Sequence, residues 1–273
     1  MRHAAAAVAV LCAAVALAFL ALPLVAIFLR VPPGRLVGQL GSGVAVDAIL
    51  VSLKTSAIAN AILLVVGTPV AYLLARARFP GRRALVTLVE LPLVLPPAVA
   101  GIGLFAAFGR SGLLGGQLEA LGLSIPFTQV AVVMSVLFVA SPFYLRQAIA
   151  AFEGVDQELL DAARTLGARP WRRFRRIALP LAGGGLAAGA ALAFARGIGE
   201  FGATIMFAGS LQGSTQTLPL AIYAEFEQDF DTALAIGALL ILFSAAVLLL
   251  AKVLPAWTRV HFTAVTPFGL GTR

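Results

Sequence analysis

Residues 161–180 read DAARTLGARPWRRFRRIALP, a short basic segment that lies between two long apolar runs, 127–150 and 181–208. Each run is longer than the ~20 residues that an apolar helix needs to cross a bilayer. Four further runs of this kind lie farther out, at 5–29, 55–75, 88–108 and 233–254. The chain is 60% apolar and only 12% charged, with a mean hydropathy of +0.99, which leaves too little polar surface for a soluble protein of this size. We therefore predict an all-α integral membrane protein with six spanning helices.

The six runs are expected to form one bundle. None of them shows the alternating pattern of a barrel strand, and a helix satisfies its own backbone hydrogen bonds in lipid. Prolines at 23, 69, 92, 96, 97 and 142 predict kinks or broken turns, above all at 91–97. Because the polar segments between the runs are too short for an independent core, residues 1–273 are expected to be a single transmembrane domain.

The basic residues predict which ends of the helices face the cytoplasm. If both termini are cytoplasmic, fifteen of the twenty lysines and arginines fall on that side, as the positive-inside rule requires. The last outer loop, 209–232, then has no basic residue but contains Glu225, Glu227, Asp229 and Asp231. A dianion would be repelled by this loop, so its carboxylates are expected either to meet basic groups of a docked protein or simply to be solvated.

Several other kinds of protein are disfavoured. The first run could be a cleaved signal peptide, but its 25 residues exceed the usual apolar length of such a signal, so we expect it to be retained. A single cysteine, Cys12, forms no intrachain disulfide, and His3 and His261 are too isolated to suggest a metal site. We expect no cofactor, and the net charge of +8 is explained by loops that face an anionic membrane leaflet.

The basic segment 156–180 is predicted to form two short helices. Asp156 suits an N-cap, Glu158 lies where the helix dipole favours an anion, Gly167 suits the helix end and Pro170 suits the start of the next helix. Three interpretations of the segment compete: an amphipathic anchor at the lipid headgroups, a helix-turn-helix that binds nucleic acid, and a docking element for a partner protein. Apolar runs on both sides leave little room for groove entry, so nucleic acid is not expected as a partner.

The same segment resembles the Glu-Ala-Ala loop of bacterial ABC importer permeases. The resemblance lies in Asp161, Ala162, Ala163, Gly167, Ile177, Leu179 and Pro180. All of them match the motif in type and spacing except Asp161, where that family usually has glutamate. The resemblance implies a coupling helix that fits a cleft on a separate ATP-binding subunit. Neither of the two lysines, Lys54 and Lys252, follows the glycines of a phosphate-binding loop. We therefore expect ATP hydrolysis on the partner and no enzyme activity in this chain.

A narrower resemblance covers about 51–252. Residues 90–101, 108–115, 199–209 and 215–223 are similar to the permeases of bacterial molybdate importers, and the tungstate and sulfate permeases belong to the same group. Residues 206–209 followed by Thr-Gln-Thr-Leu-Pro favour molybdate. The resemblance implies a homodimer of type I importer fold in the bacterial inner membrane, which works by alternating access with an ATPase and an external binding protein. A self-sufficient carrier or channel, with the basic segment only as an anchor, is the alternative from another class.

Candidate pathway or gate residues lie in the fifth run. Arg196 and Glu200 are the only ionisable residues that we place deep in a span, and charge in lipid is expensive enough to suggest a function. Their i, i+4 spacing permits an ion pair, which we favour over direct contact with the transported anion. Thr204 follows one turn later. Gly197, Gly199 and Gly202 allow close helix packing or local unwinding at this depth.

Overall fold

The computed structural model describes the backbone of residues 2–31, 34, 38 and 41–260, and side chains over 5–31, 34, 38 and 41–250. Within these residues all regular structure is helical, as the sequence predicts. We number the α-helices in chain order: α1 Arg2–Arg30, α2 Gly43–Ile62, α3 Thr68–Arg76, α4 Arg82–Glu90, α5 Pro97–Phe108, α6 Gly115–Ala120, α7 Gln129–Glu153, α8 Gln157–Thr165, α9 Pro170–Arg173, α10 Leu179–Ile198, α11 Gly202–Ala208, α12 Leu218–Phe226 and α13 Phe230–Val260.

Five continuous helical stretches are long and apolar enough to span a membrane, and a sixth is obtained if a bent pair is one span. The second stretch is Gly43–Arg76, in which α2 and α3 are joined by the π-helical turn Leu63–Gly67. It begins twelve residues before the predicted start at 55, because the small and apolar residues of 43–54 continue the helix past Lys54. Pro69 lacks an N–H and its ring crowds the preceding turn, and the π turn just before it accommodates both effects.

The bent pair occupies the third run. Arg82–Leu93 and Pro97–Phe108 meet at an angle of 112°, so the break predicted at 91–97 is present. A 3₁₀ turn at Leu91–Leu93 ends the first part, and Pro96 and Pro97 start the second part with no N–H to pair backwards. The result is a sharp corner in place of a straight span.

The basic segment contains the two predicted helices, but the second does not end within it. The helix α9 continues through the π turn Phe174–Ala178 into α10, and together they form one stretch, Pro170–Ile198. The fifth span therefore starts eleven residues before the predicted position, 181. As at Pro69, the π turn lies just before a proline, here Pro180.

The end of the fifth run departs from one continuous helix to 208. The helix stops at Ile198, residues 199–201 are not helical, and α11 begins at Gly202. The local unwinding predicted from the glycines is thus present. The following segment, predicted as a loop over 209–232, contains the helix α12, and the side chain of Asp229 caps the start of α13 by accepting from Thr232 N at 3.2 Å.

The helix α7 lies at the centre of the packed part of the chain. It packs against α10, α3, α2 and α11, and thirteen of its residues are buried. Close approach to α10 depends on small residues: a Cβ at Gly185 would lie 2.5 Å from the Cβ of Ala151, and one at Gly197 would lie 2.7 Å from Val136. By contrast, the described side chains of α1 before residue 27 are exposed on every side, as suits a helix surrounded by lipid or another chain.

Candidate coupling and transport site

The first half of the candidate coupling segment is a helix with well-defined ends. The Asp156 side chain accepts a hydrogen bond from Glu158 N at 2.9 Å, which caps α8 as predicted. At the other end Gly167 has φ +78°, and Gly167 N and Ala168 N donate to the carbonyls of Arg164 and Ala163 at 3.0 and 2.9 Å. This pair of bonds is a Schellman motif, in which glycine is favoured because its left-handed backbone strains other residues.

The residues at the head of the motif are on the outside of α8. Asp161 and Ala162 are exposed and Ala163 is half-buried, whereas Leu160 is buried against the rest of the chain. Gln157 Nε2 donates to Asp161 Oδ1 at 3.2 Å, so one carboxylate oxygen is engaged within the helix. The exposed face of α8 is therefore free of intramolecular packing at the positions that the family resemblance assigns to a partner.

The second half of the motif serves packing. Ile177, in the π turn, and Leu179, the first residue of α10, both contact the buried cluster around α7. Pro180 is exposed, at the second position of α10. The helix α8 contacts this π turn directly. The structure thus brings the two halves of the motif together, with most of the first half exposed and with Ile177 and Leu179 of the second half partly buried.

An aromatic cluster joins the basic segment to α3 and α7. Phe174 is buried, and its ring centroid lies 4.9 Å from that of Tyr72 and 6.2 Å from that of Phe152. Trp171 lies on the other side of Phe174 at 5.4 Å and is 66% exposed. Such contacts add about 0.5–1.5 kcal/mol per pair to the burial of the rings. The start of the fifth span is therefore attached firmly to the second and fourth.

The predicted ion pair in the fifth run is present. Arg196 Nη2 lies 2.8 Å from Glu200 Oε2, and the side-chain exposures are 29% and 1%. The other oxygen, Glu200 Oε1, accepts from Ala203 N at 2.8 Å and so satisfies an N–H in the first turn of α11. Glu200 thus connects the two helices across the unwound residues 199–201. Thr204 is fully buried, and its hydroxyl oxygen has no hydrogen-bond partner among the described residues.

Two further contacts of charged side chains were not predicted from the sequence. Arg146 Nε lies 3.1 Å from Glu90 Oε1, which links α7 to the end of α4. Arg146 is seven residues from the end of α7, roughly 10 Å along the helix. Lys54 lies within α2 and donates to Gln129 Oε1 at 2.8 Å. Both Glu90 and Arg146 lie within predicted apolar runs, and these two charges of opposite sign were the sequence signal from which their ion pair could have been predicted.

Buried polar groups follow α11. Thr215, Gln216 and Thr217 are all at least 93% buried, and Ser52 Oγ accepts from Leu218 N at 2.8 Å. This segment, which carries part of the molybdate-type resemblance, is therefore packed against α2. Among the described residues there is no group of three or more His, Cys, Asp or Glu side chains that could hold a metal ion.

Comparison with known proteins gives one family. Residues 67–260 match the family model described as "Binding-protein-dependent transport system inner membrane component". The chain is 45% identical over 257 residues to the molybdenum transport system permease protein of Mycobacterium tuberculosis, a match that covers 93% of this chain and 92% of that one. The corresponding Escherichia coli protein is 44% identical over 178 residues, which cover 65% of this chain and 78% of that one.

More distant matches agree with the fold. A probable sulfate transport system permease protein of Chlorokybus atmophyticus is 35% identical over 199 residues, covering 72% of this chain and 70% of that one. Among solved structures, a chain of a bacterial alginate ABC transporter, in complex with a periplasmic protein that holds an alginate pentasaccharide, superposes with a TM-score of 0.67. That match has 18% sequence identity and covers 86% of this chain and 88% of that one, so it speaks for the architecture alone.

Proposed function

This chain belongs to the family of inner-membrane components of binding-protein-dependent transport systems, and on that premise we propose that it is the membrane-spanning subunit of an ATP-driven importer of a tetrahedral oxyanion, molybdate. The observation that carries the proposal is the 45% identity to a molybdenum permease over 93% of the chain. The multi-pass helical fold, with its exposed α8, supports the same role.

The energetics of the cargo call for an energy source. A dianion that enters a cell against an inside-negative potential of 100 mV faces about 4–5 kcal/mol before any concentration gradient is added. In this proposal the energy comes from a separate ATPase subunit, and an external binding protein delivers the anion. No step of ATP hydrolysis is assigned to the present chain, which is not an enzyme.

The proposed mechanism is alternating access in a homodimer of this chain. Closure of two ATPase subunits on ATP moves α8, and the seven residues of the coupling motif carry that motion to the spans. Asp161, Ala162, Ala163 and Gly167 would face or shape the ATPase contact. Ile177, Leu179 and Pro180 would connect it to α10. Exposure of the first group and packing of Ile177 and Leu179 support this division of roles.

For the pathway, we propose different roles for the three candidate residues. Glu200 is buried, paired and engaged with Ala203 N, which supports a structural role at the unwound turn. The Arg196 side chain is 29% exposed, and Arg196 is the one of the three that a passing dianion could meet. Thr204 has a hydroxyl without a partner among the described residues, which suits a group that changes partners when α11 moves.

A sulfate permease is the second candidate, since a probable sulfate permease is 35% identical over 72% of the chain. Tungstate is a further candidate anion, and the same experiment tests it. The decisive experiment is reconstitution of the chain with its ATPase and binding protein in liposomes, followed by uptake of labelled molybdate in competition with tungstate and sulfate. We expect ATP-dependent molybdate uptake that a large excess of sulfate leaves intact. Uptake that proceeds without the ATPase, or that sulfate abolishes, would refute the proposal.

A further inference from the structure

We propose that Arg76 is a positioning residue that fixes the coupling helix α8 to two spanning helices, so that motion of α8 reaches the spans without loss at the connection 154–156. Arg76 is the last residue of α3 and therefore the end of the second span. In the sequence alone, Arg76 is one of the fifteen basic residues on the side predicted to be cytoplasmic.

The contacts of Arg76 fall on both sides of that connection. Its Nη2 donates to the carbonyl oxygens of Phe152, at 2.6 Å, and of Val155. Its Nη1 donates to Oε1 of Gln157, the first residue of α8, at 2.9 Å. Carbonyls at a helix C-terminus lack partners within the helix, and a guanidinium, with five N–H groups in a fixed plane, can satisfy several acceptors at once. One side chain thus holds the end of α7, the connection and the start of α8 together.

The chain of hydrogen bonds continues to the motif. Gln157 accepts from Arg76 with its carbonyl oxygen and donates from its amide nitrogen to Asp161 Oδ1, at 3.2 Å. This gives an Arg76–Gln157–Asp161 relay that runs from the second span to the acidic residue at the head of the motif. Gln157 thus orients the Asp161 carboxylate, which stays exposed and keeps acceptor sites on both oxygens for a partner protein.

Without the hydrogen bonds of Arg76, which we call the Arg76 clamp, the three-residue connection 154–156 would be a natural hinge. Residues 154–156 are not helical, so the regular hydrogen bonding of α7 does not continue into α8. Without Arg76, the connection keeps only the bonds from Gly154 N to Ala150 O at 3.0 Å and from Val155 N to Phe152 O at 3.2 Å, together with the buried Val155 side chain. A second contact lies at the same connection, where Arg82 Nη2 is 2.7 Å from Glu153 Oε1. Both side chains are substantially exposed, and exposed ion pairs contribute little to stability. The clamp at Arg76 is therefore the stronger restraint.

The first test needs no transport activity. Hydrogen exchange of the α8 amides is measured in the full-length chain in lipid nanodiscs, for wild type, Arg76→Ala and Arg78→Ala. Arg78 is the matched control. Arg76 and Arg78 both line a recess of about 640 Å³, but Arg78 is exposed and makes no hydrogen bond or ion pair with the described part of the chain. We expect exchange in α8 to rise roughly tenfold or more in Arg76→Ala and to stay within about twofold of wild type in Arg78→Ala. Equal exchange in the two variants would overturn the proposal.

A second variant covers the case in which Arg76→Ala does not fold. Gln157→Met keeps the length of the side chain and the Arg76 contacts to α7, but removes the link to Asp161. Exchange in α8 is expected to rise about threefold, and exchange at the end of α7 to stay unchanged. An unchanged α8 would show that the step through Gln157 is wrong.

The role in coupling rests on the proposed function and is read in the assembled transporter. We expect Arg76→Ala to retain the ATPase subunit and to hydrolyse ATP while fewer anions are transported per ATP, by a factor of at least three, with Arg78→Ala at the wild-type ratio. A wild-type ratio in Arg76→Ala would refute the role in coupling. Failure of the wild type to transport would instead refute the proposed function, and the hydrogen-exchange result would stand apart from it.

Discussion

The contact between α5 and α11 allows a sharp test of how the broken third span is held against the unwound fifth one. A Cβ at Gly101 in α5 would lie 2.6 Å from the carbonyl oxygen of Ala203, 2.9 Å from its Cα and 2.8 Å from the Cβ of Met206. Two of these atoms belong to the backbone of α11 and cannot rotate away. Gly101→Ala must therefore push the two helices apart. Gly103 lies in the same helix, and a Cβ there would meet nothing within 4 Å.

The two substitutions are expected to change the free energy of unfolding in opposite directions. Overpacking costs about 1–3 kcal/mol, and contact with backbone atoms places Gly101→Ala at the upper end of that range. Gly103→Ala adds no clash and reduces the entropy of the unfolded chain, so it should stabilise by about 0.5–1 kcal/mol. The variants should then differ by roughly 3–4 kcal/mol, which corresponds to a difference in melting temperature on the order of 10 °C.

The measurement is thermal unfolding of the purified chain in one detergent, followed by loss of the monodisperse peak or by intrinsic fluorescence. Both variants add the same methyl group to the same helix, so a difference in helix propensity cannot explain a separation between them. Melting temperatures within 2 °C of each other would refute the close approach of α5 and α11.

Three other substitutions test separate parts of the structure. Gly167→Val should destabilise α8 by about 1–2 kcal/mol, because φ is +78° there, while asparagine at the same position should cost less; unfolding of both variants in denaturant checks the order, and equal costs would contradict the left-handed cap. Glu200→Arg should prevent stable folding, and combining it with Arg196→Glu should restore folding only in part. The reversed pair restores the ion pair, but arginine at 200 cannot accept the hydrogen bond from Ala203 N. Yield and melting temperature in detergent measure the rescue, and no rescue at all would count against pairing. Tyr144→Phe removes one of the two hydrogen bonds of the Thr68 hydroxyl, which still donates to the Leu64 carbonyl, and should cost about 1 kcal/mol. The double variant with Thr68→Val should cost less than the sum of the two single variants; an additive double-mutant cycle would contradict the hydrogen bond between Tyr144 and Thr68.

Much of the fold could be predicted from composition and local pattern. Long apolar runs predict spanning helices whatever they pack against, and prolines at 92, 96 and 97 predict the corner in the third run because they remove backbone donors. Both caps of α8 could also be predicted from the sequence, because Asp156 and Gly167 interact only with residues a few positions away in the chain. These features depend on local chemistry alone.

Features that depend on tertiary contacts were missed or misplaced. The second span was started at 55 because Lys54 interrupts its hydropathy, but the ammonium group is satisfied by Gln129, 75 residues away. Arg76 has no local pattern that sets it apart from the other arginines between the second and third runs, and only its contacts with carbonyls in 152–155 give it a distinct role. Likewise, the pairing of Glu90 with Arg146 joins two runs that local pattern treats separately. In each case the deciding partner is distant in sequence.

The predicted orientation of segment 156–180 can be measured directly. Leu166, next to Gly167, is 87% exposed, and Leu113, near the start of α6, is 84% exposed, so a cysteine at either site is open to a reagent. Cys12, the chain's one native cysteine, is first replaced by serine. Our account predicts that a membrane-impermeant maleimide labels Leu113→Cys but not Leu166→Cys in intact spheroplasts, and labels Leu166→Cys once the membrane is opened. Labelling of Leu166→Cys in intact spheroplasts would place the coupling segment on the wrong side of the membrane and contradict the account.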